Sequence, residues 1–156
     1  MESPHKPSTA WHEAGHAVIA LALDRPVKLV SVLPSREFAG ICEFGKGVHR
    51  PSVDSLEREM LIALAGLAAE AKYSGRYSWA GAGRDLEYAH GLAVQRGGEK
   101  QAERLIKRML ARCENLLEQP GHWAAVALIV EELLAHGEIS GRTAKYLFER
   151  GMASCE

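Results

Sequence analysis

The chain has 156 residues and 17.0 kDa, 47% of them apolar and 25% charged, which is the composition of an ordinary single globular domain. Nineteen basic against twenty acidic side chains leave a net charge of -1, too little positive charge to grip a phosphate backbone, so nucleic acid is excluded as a main partner. The longest apolar run, Trp123 to Val130, spans eight residues against the ~20 a membrane helix needs, so no membrane insertion is expected.

The first seven residues hold two prolines and no apolar stretch and read as a flexible tail, with a single domain over 8–156. Ser8 or Thr9 then caps a helix that runs through Leu23 and stops at Asp24-Arg25-Pro26. β-branched and aromatic residues take over next, predicting strands at Val27–Leu33 and Gly40–Phe44 as a small hairpin or sheet. Gly45, Gly47 and Pro51 mark a loop. Ser52 caps a second helix with Leu56, Met60, Leu64, Leu67 and Ala71 on one face. Tyr73 to Gly83 carries three glycines and two serines without a period and reads as a loop. Helical patterns then cover Arg84–Gln95, Glu99–Glu118, His122–Ala135 and Gly141–Arg150, separated by Gly97-Gly98, Pro120-Gly121 and Gly137. The expected fold is mainly α: a bundle of about six helices with a small β insertion. Three widely spaced cysteines, an odd number, suit a reducing cytoplasm.

The first helix contains His12-Glu13-Ala14-Gly15-His16. Histidines four apart lie about 40° apart around a helix, so both imidazoles can reach one ion at Zn–N distances of ~2.0–2.1 Å. Glu13 projects beside that ion. Zinc lowers the pKa of a water it holds towards ~7, and a carboxylate that takes the released proton leaves a nucleophile for a peptide carbonyl. With seven histidines and seventeen glutamates, a shuffled chain would show this pattern roughly 3% of the time, so its helical context has to carry the weight. Gly15 adds to that context. It costs ~1 kcal/mol relative to alanine in a helix, which suggests that something must approach closely there.

Catalytic zinc usually takes three protein ligands. The chain has three aspartates: Asp24 ends the first helix, Asp54 sits in the first turn of the second, and Asp85 opens the helix after the glycine-rich loop. Asp85 also fits a helix cap, and the pattern alone leaves both roles open; Glu59, Glu70 and His90 stay as further candidates.

Four blocks carry a resemblance. Thr9-Ala-Trp-His-Glu-Ala-Gly-His-Ala17, Val30-Ser-Val-Leu-Pro34, Ala63-Leu-Ala-Gly-Leu-Ala-Ala-Glu70 and Gly81-Ala-Gly-Arg-Asp-Leu-Glu87 stand in the order found in FtsH-type ATP-dependent zinc metalloproteases, whose peptidase domain this chain resembles. The resemblance implies a largely helical peptidase fold, one Zn2+ per chain held by His12, His16 and Asp85, and Glu13 as general base. It also implies a polypeptide substrate. In this chain no Gly-x-x-x-x-Gly-Lys-Ser/Thr phosphate loop occurs, so any ATP-driven step is expected from a separate ATPase or regulatory protein partner. The block before Asp85 reads Gly-Ala-Gly-Arg, where the family usually has a serine or an asparagine.

The leading expectation is a zinc-dependent endopeptidase for flexible or unfolded polypeptides, which would lie along an exposed sheet edge at Lys28–Leu33, although the poor alternation of that run fits a fully buried strand equally well. The alternative is a peptidase-derived zinc module that docks a protein partner without turnover, and a third is a metal-free helical adaptor.

Overall fold

The first helix begins two or three residues earlier than a cap at Ser8 or Thr9 implies. The computed structural model, which describes residues 3–45 and 53–156 without the side chains of Val53 and Asp54, places α1 at Pro7–Ala22. Lys6 precedes it, and no side chain caps it. Proline in the first turn explains the difference: its φ is already helical and it has no N–H to satisfy, so Ser8 and Thr9 fall inside the helix. At the other end Asp24 takes a positive φ of 61°, its N–H donates to the Leu21 carbonyl (3.2 Å), and the Arg25 N–H reaches back to Ala20 (2.8 Å). This is a Schellman-type stop in which aspartate replaces the usual glycine.

Strands β1 (Val27–Ser31) and β2 (Ile41–Phe44) pair antiparallel, with Val30 opposite Cys42. A third strand, β3 (Glu138–Ser140), pairs antiparallel on the other side of β1, with Val30 opposite Ile139, giving the order β2-β1-β3. The β3 segment has one apolar residue among three, too short to alternate, and was not predicted. Its presence overturns the expected free edge at Lys28–Leu33, because β1 is the central strand and both of its sides are occupied.

Helix α2 (Val53–Ser74) buries Met60, Leu64 and Leu67 of the predicted face completely. The expectations for Gly47, Pro51 and Ser52 lie outside the described residues. After Gly75, with a φ of 85°, a short 3-10 turn at Ala80–Ala82 leads into α3 (Gly83–Gly97). Then come α4 (Glu99–Glu118), α5 (Pro120–His136) and α6 (Gly141–Ala153), the last capped by Ser140 Oγ, which accepts from the Thr143 N–H (3.1 Å). Six helices and a small antiparallel sheet thus make a mainly α fold, and no helix among the described residues is long and apolar enough to cross a membrane.

The core forms around α1, where Ala10, Ala14, Ala17, Val18, Ile19 and Ala20 are all fully buried. Helix α2 crosses it at very short range. A Cβ built on Gly15 would stand 2.4 Å from the Ala69 Cβ and 2.7 Å from the Ala65 carbonyl oxygen. The suspected close approach at Gly15 is therefore the backbone of α2.

This contact has a measurable signature. Gly91, also inside a helix, has open space around its would-be Cβ. Gly91→Ala should stabilise the protein by about 0.5–1 kcal/mol through helix propensity. Gly15→Ala should instead cost about 1–3 kcal/mol, because the added methyl group has to push α2 away. Urea unfolding of the two variants beside the wild type checks the opposite signs.

Candidate metal centre

One turn of α1 separates His12 from His16, and both rings lie against α2 at Gly66. A Cβ at Gly66 would lie 2.4 Å from His16 Nε2 and 2.7 Å from His12 Nε2 and Cδ2, so the glycine is the floor on which the imidazoles rest. His16 Nδ1 stands 2.7 Å from the Ile62 carbonyl. A carbonyl can only accept, so Nδ1 carries the proton and Nε2 is left to face outward. Behind His12, Glu70 Oε1 lies 3.8 Å from Nδ1, which likewise turns Nε2 towards the site.

Asp85 arrives from the first turn of α3. Its Oδ2 lies 2.8 Å from His12 Nε2 and 3.1 Å from His16 Nε2. The three ligand atoms all stand within 4.8 Å of one another, which makes the trio the group among the described residues suited to hold a metal ion. The other candidates fall elsewhere. Asp24 is exposed at the end of α1, His90 is exposed on α3, Glu59 pairs with Arg25 (3.1 Å), and Glu70 sits behind His12. The side chain of Asp54 lies outside the described residues.

Charge at this point favours a cation. Burial by itself would push the His16 imidazole down, but the Asp85 charge and hydrogen bond, with Glu13 and the Ile62 carbonyl, outweigh it and raise His16 to about 9. Burial would raise Asp85, yet the charge on His16 and the hydrogen bonds from both histidines hold it below the usual carboxylate range. A protonated Nδ1, an outward Nε2 and an oxygen 3.1 Å away make an arrangement that needs either a second proton or a metal ion between the last two. In donor types, two imidazole nitrogens and one carboxylate oxygen, the set fits zinc.

Glu13 is 7% exposed and makes no hydrogen bond or ion pair among the described residues. Burial raises its pKa, and the neighbouring His16 and His12 reverse only part of that. Gly40 closes the loop over it: a Cβ there would meet Thr9 Cγ2 at 2.7 Å, the Ser31 carbonyl oxygen at 2.8 Å and Glu13 Cγ at 3.1 Å. His12, Glu13, His16 and Asp85 all open onto a cavity of about 710 Å3 whose wall includes Ile41, Cys42 and Phe44 of β2. Cys42 is not a nucleophile in this setting, because burial first, then the Glu13 and Asp85 charges, raise its thiol well above the ordinary value.

Gly66, Gly40 and Ile62 were missed as supports of the site. A signal for Gly66 existed: like Gly15, it is a costly glycine inside an otherwise alanine-rich helix. The Ile62 role rests on a carbonyl and leaves no mark on residue type.

Residues 1–97, which contain His12, Glu13, His16, Gly66 and Asp85, match the model of peptidase family M41. The chain is 29% identical over 155 residues to an ATP-dependent zinc metalloprotease FtsH of Acidimicrobium ferrooxidans, covering 96% of this chain and 22% of that protein. It is 35% identical over 95 residues to an ATP-dependent zinc metalloprotease FtsH of Magnetococcus marinus, covering 55% of this chain and 13% of that protein. It is also 32% identical over 93 residues to an ATP-dependent zinc metalloprotease FtsH 4 of Sorangium cellulosum, covering 56% and 14%. The chain thus spans less than a quarter of the length of these curated relatives. A family match over most of the chain, with the whole histidine, glutamate and aspartate cluster inside it, means that this protein belongs to peptidase family M41.

Proposed function

We propose that the chain is a zinc-dependent endopeptidase domain that hydrolyses peptide bonds in flexible or unfolded polypeptides. The observation that carries the reading is the meeting of His12, His16 and Asp85 at one point, with buried, unpartnered Glu13 in the same cavity. His12 Nε2, His16 Nε2 and an Asp85 oxygen would hold the ion. When bound, zinc supplies Lewis-acid polarisation of a carbonyl and acidifies water.

The remaining work belongs to side chains and backbone. Glu13 takes up a proton at a carboxylate oxygen and returns it to the leaving amine. The Ile62 carbonyl and Glu70 keep both imidazoles turned towards the ion. Gly66 supplies the room they occupy. The peptide lies along β2, which among the described residues pairs only with β1 and lines the cavity. The ATP dependence that the names of the relatives print would be supplied from outside these 156 residues, by a separate ATPase or another part of a longer protein. Cys42, Cys113 and Cys155 are free thiols, which supports a cytoplasmic setting.

Glu13→Gln should keep zinc and lose turnover of casein or an unfolded peptide by about 10²–10⁴-fold. Metal analysis beside the cleavage assay checks this; equal turnover by variant and wild type would refute the peptidase reading, and zinc with no turnover in either would favour a docking module.

Removing zinc with a chelator should abolish cleavage, and zinc should restore it. Gly66→Ala should bind zinc poorly and lose about 1–3 kcal/mol of stability, since its methyl group displaces both imidazoles. Zinc titration of this variant against Gly91→Ala, which touches nothing, isolates the effect on the site.

A further inference from the structure

The charges around the cavity are paired unequally. Asp85 is engaged by the two histidines, Glu70 stands behind His12, and Glu59 accepts from Arg25, whose guanidinium also donates to the Gly45 carbonyl. Arg84 lines the same cavity with no ion pair or hydrogen bond among the described residues; its partner is the Phe38 ring, 4.3 Å from guanidinium carbon to ring centroid. It is the second residue of α3, where the helix dipole disfavours a cation, and no carboxylate among the described residues pairs with it.

Phe38 is held in turn by a tied loop. The Ser35 N–H donates to the Phe38 carbonyl (2.8 Å), and the Phe38 N–H donates to Ser35 Oγ (3.1 Å). A guanidinium laid on an aromatic face keeps its N–H edges free, in the fork that fits a carboxylate. Arg84 directly precedes Asp85 and lines the same cavity as the two histidines, so those donors border the chamber that contains the proposed ion site.

We propose that Arg84, clamped on Phe38, is a specificity-determining residue that binds a substrate carboxylate near the scissile bond. The inference rests on the peptidase reading above and adds its substrate class: acidic peptides. The carboxylate has two sources, an Asp or Glu side chain or the C-terminus of the substrate. Glu37, exposed in the cavity wall beside Phe38, is the carboxylate that competes with it.

The test uses fluorogenic peptides of one length: a neutral peptide with an amidated end, the same peptide with glutamate at each of three positions on either side of the scissile bond, and the neutral peptide with a free C-terminus. The wild type should favour a carboxylate-bearing peptide by about two- to fivefold in kcat/KM, the yield of one exposed charge-assisted contact. Arg84→Gln should bring that ratio to about one at unchanged zinc content, Arg84→Lys should keep part of it, and Glu37→Gln should raise it. A gain confined to the free C-terminus assigns the chain end as the source; a gain with internal glutamate assigns the side chain. Binding of the same peptides to Glu13→Gln and to Glu13→Gln/Arg84→Gln, followed by anisotropy, gives a readout free of turnover. The same ratio in Arg84→Gln and wild type, in cleavage and in binding, would overturn the inference. Turnover without acidic preference leaves the peptidase reading standing alone, whereas Arg84-dependent binding without turnover keeps the carboxylate site and removes the peptidase.

Discussion

The close crossing of α1 and α2 governs this molecule. Gly15 gives up a side chain so that the Ala65 carbonyl and Ala69 can approach, and Gly66 gives one up so that both imidazoles can lie on α2. Each glycine costs ~1 kcal/mol of helix propensity, and dense packing of fully buried Ala14, Ala17, Ala65 and Ala69 across the crossing offsets it. Larger residues would separate the helices. His16 would then lose the Ile62 carbonyl that fixes its tautomer, and the histidine pair would lose a common direction. Packing and site geometry are therefore one constraint.

That constraint also explains which features could be read from residue types. The pair His12 and His16 was legible because helical spacing alone puts them on one face, and Gly15 because its cost has no local benefit. The helices were legible through their apolar period and glycine or proline boundaries, to within a few residues. Features set by distant backbone were not. Strand β3 owes its existence to pairing with β1 across more than a hundred residues, and with it went the expectation of a free edge at Lys28–Leu33. The start of α1 followed proline geometry rather than hydroxyl capping, a competition between two local rules that the sequence presents side by side. Asp85 lies 69 residues after His16, and its position fits a helix cap equally well; the family resemblance, not the pattern, singled it out.

Electrostatics gives the cluster its character. Two carboxylates and two imidazoles share a largely buried volume, and the balance among them is met by raising His16 and lowering Asp85. Such an arrangement is poor as a purely structural device, because a buried ion pair seldom outperforms apolar packing of the same volume. Glu13 sharpens the point: its side chain is largely covered, yet its carboxylate faces the cavity without a hydrogen-bond partner, which a structural role leaves unexplained. The proton-transfer role proposed for it would explain this.

The segment between β1 and β2 connects these constraints to selectivity. Within a few residues it places Phe38 against Arg84, drops Gly40 onto Glu13 and starts the strand that walls the cavity. Where Gly-Ala-Gly-Arg departs from the serine or asparagine usual in the family, the arginine has turned away from the aspartate beside it and onto a ring across the cavity mouth. Asp85 is left to the histidines. An arginine that would pair with Asp85 if it bent inward is thus held outward by Phe38, and on the proposed reading the loop that covers Glu13 also selects the chain that reaches it.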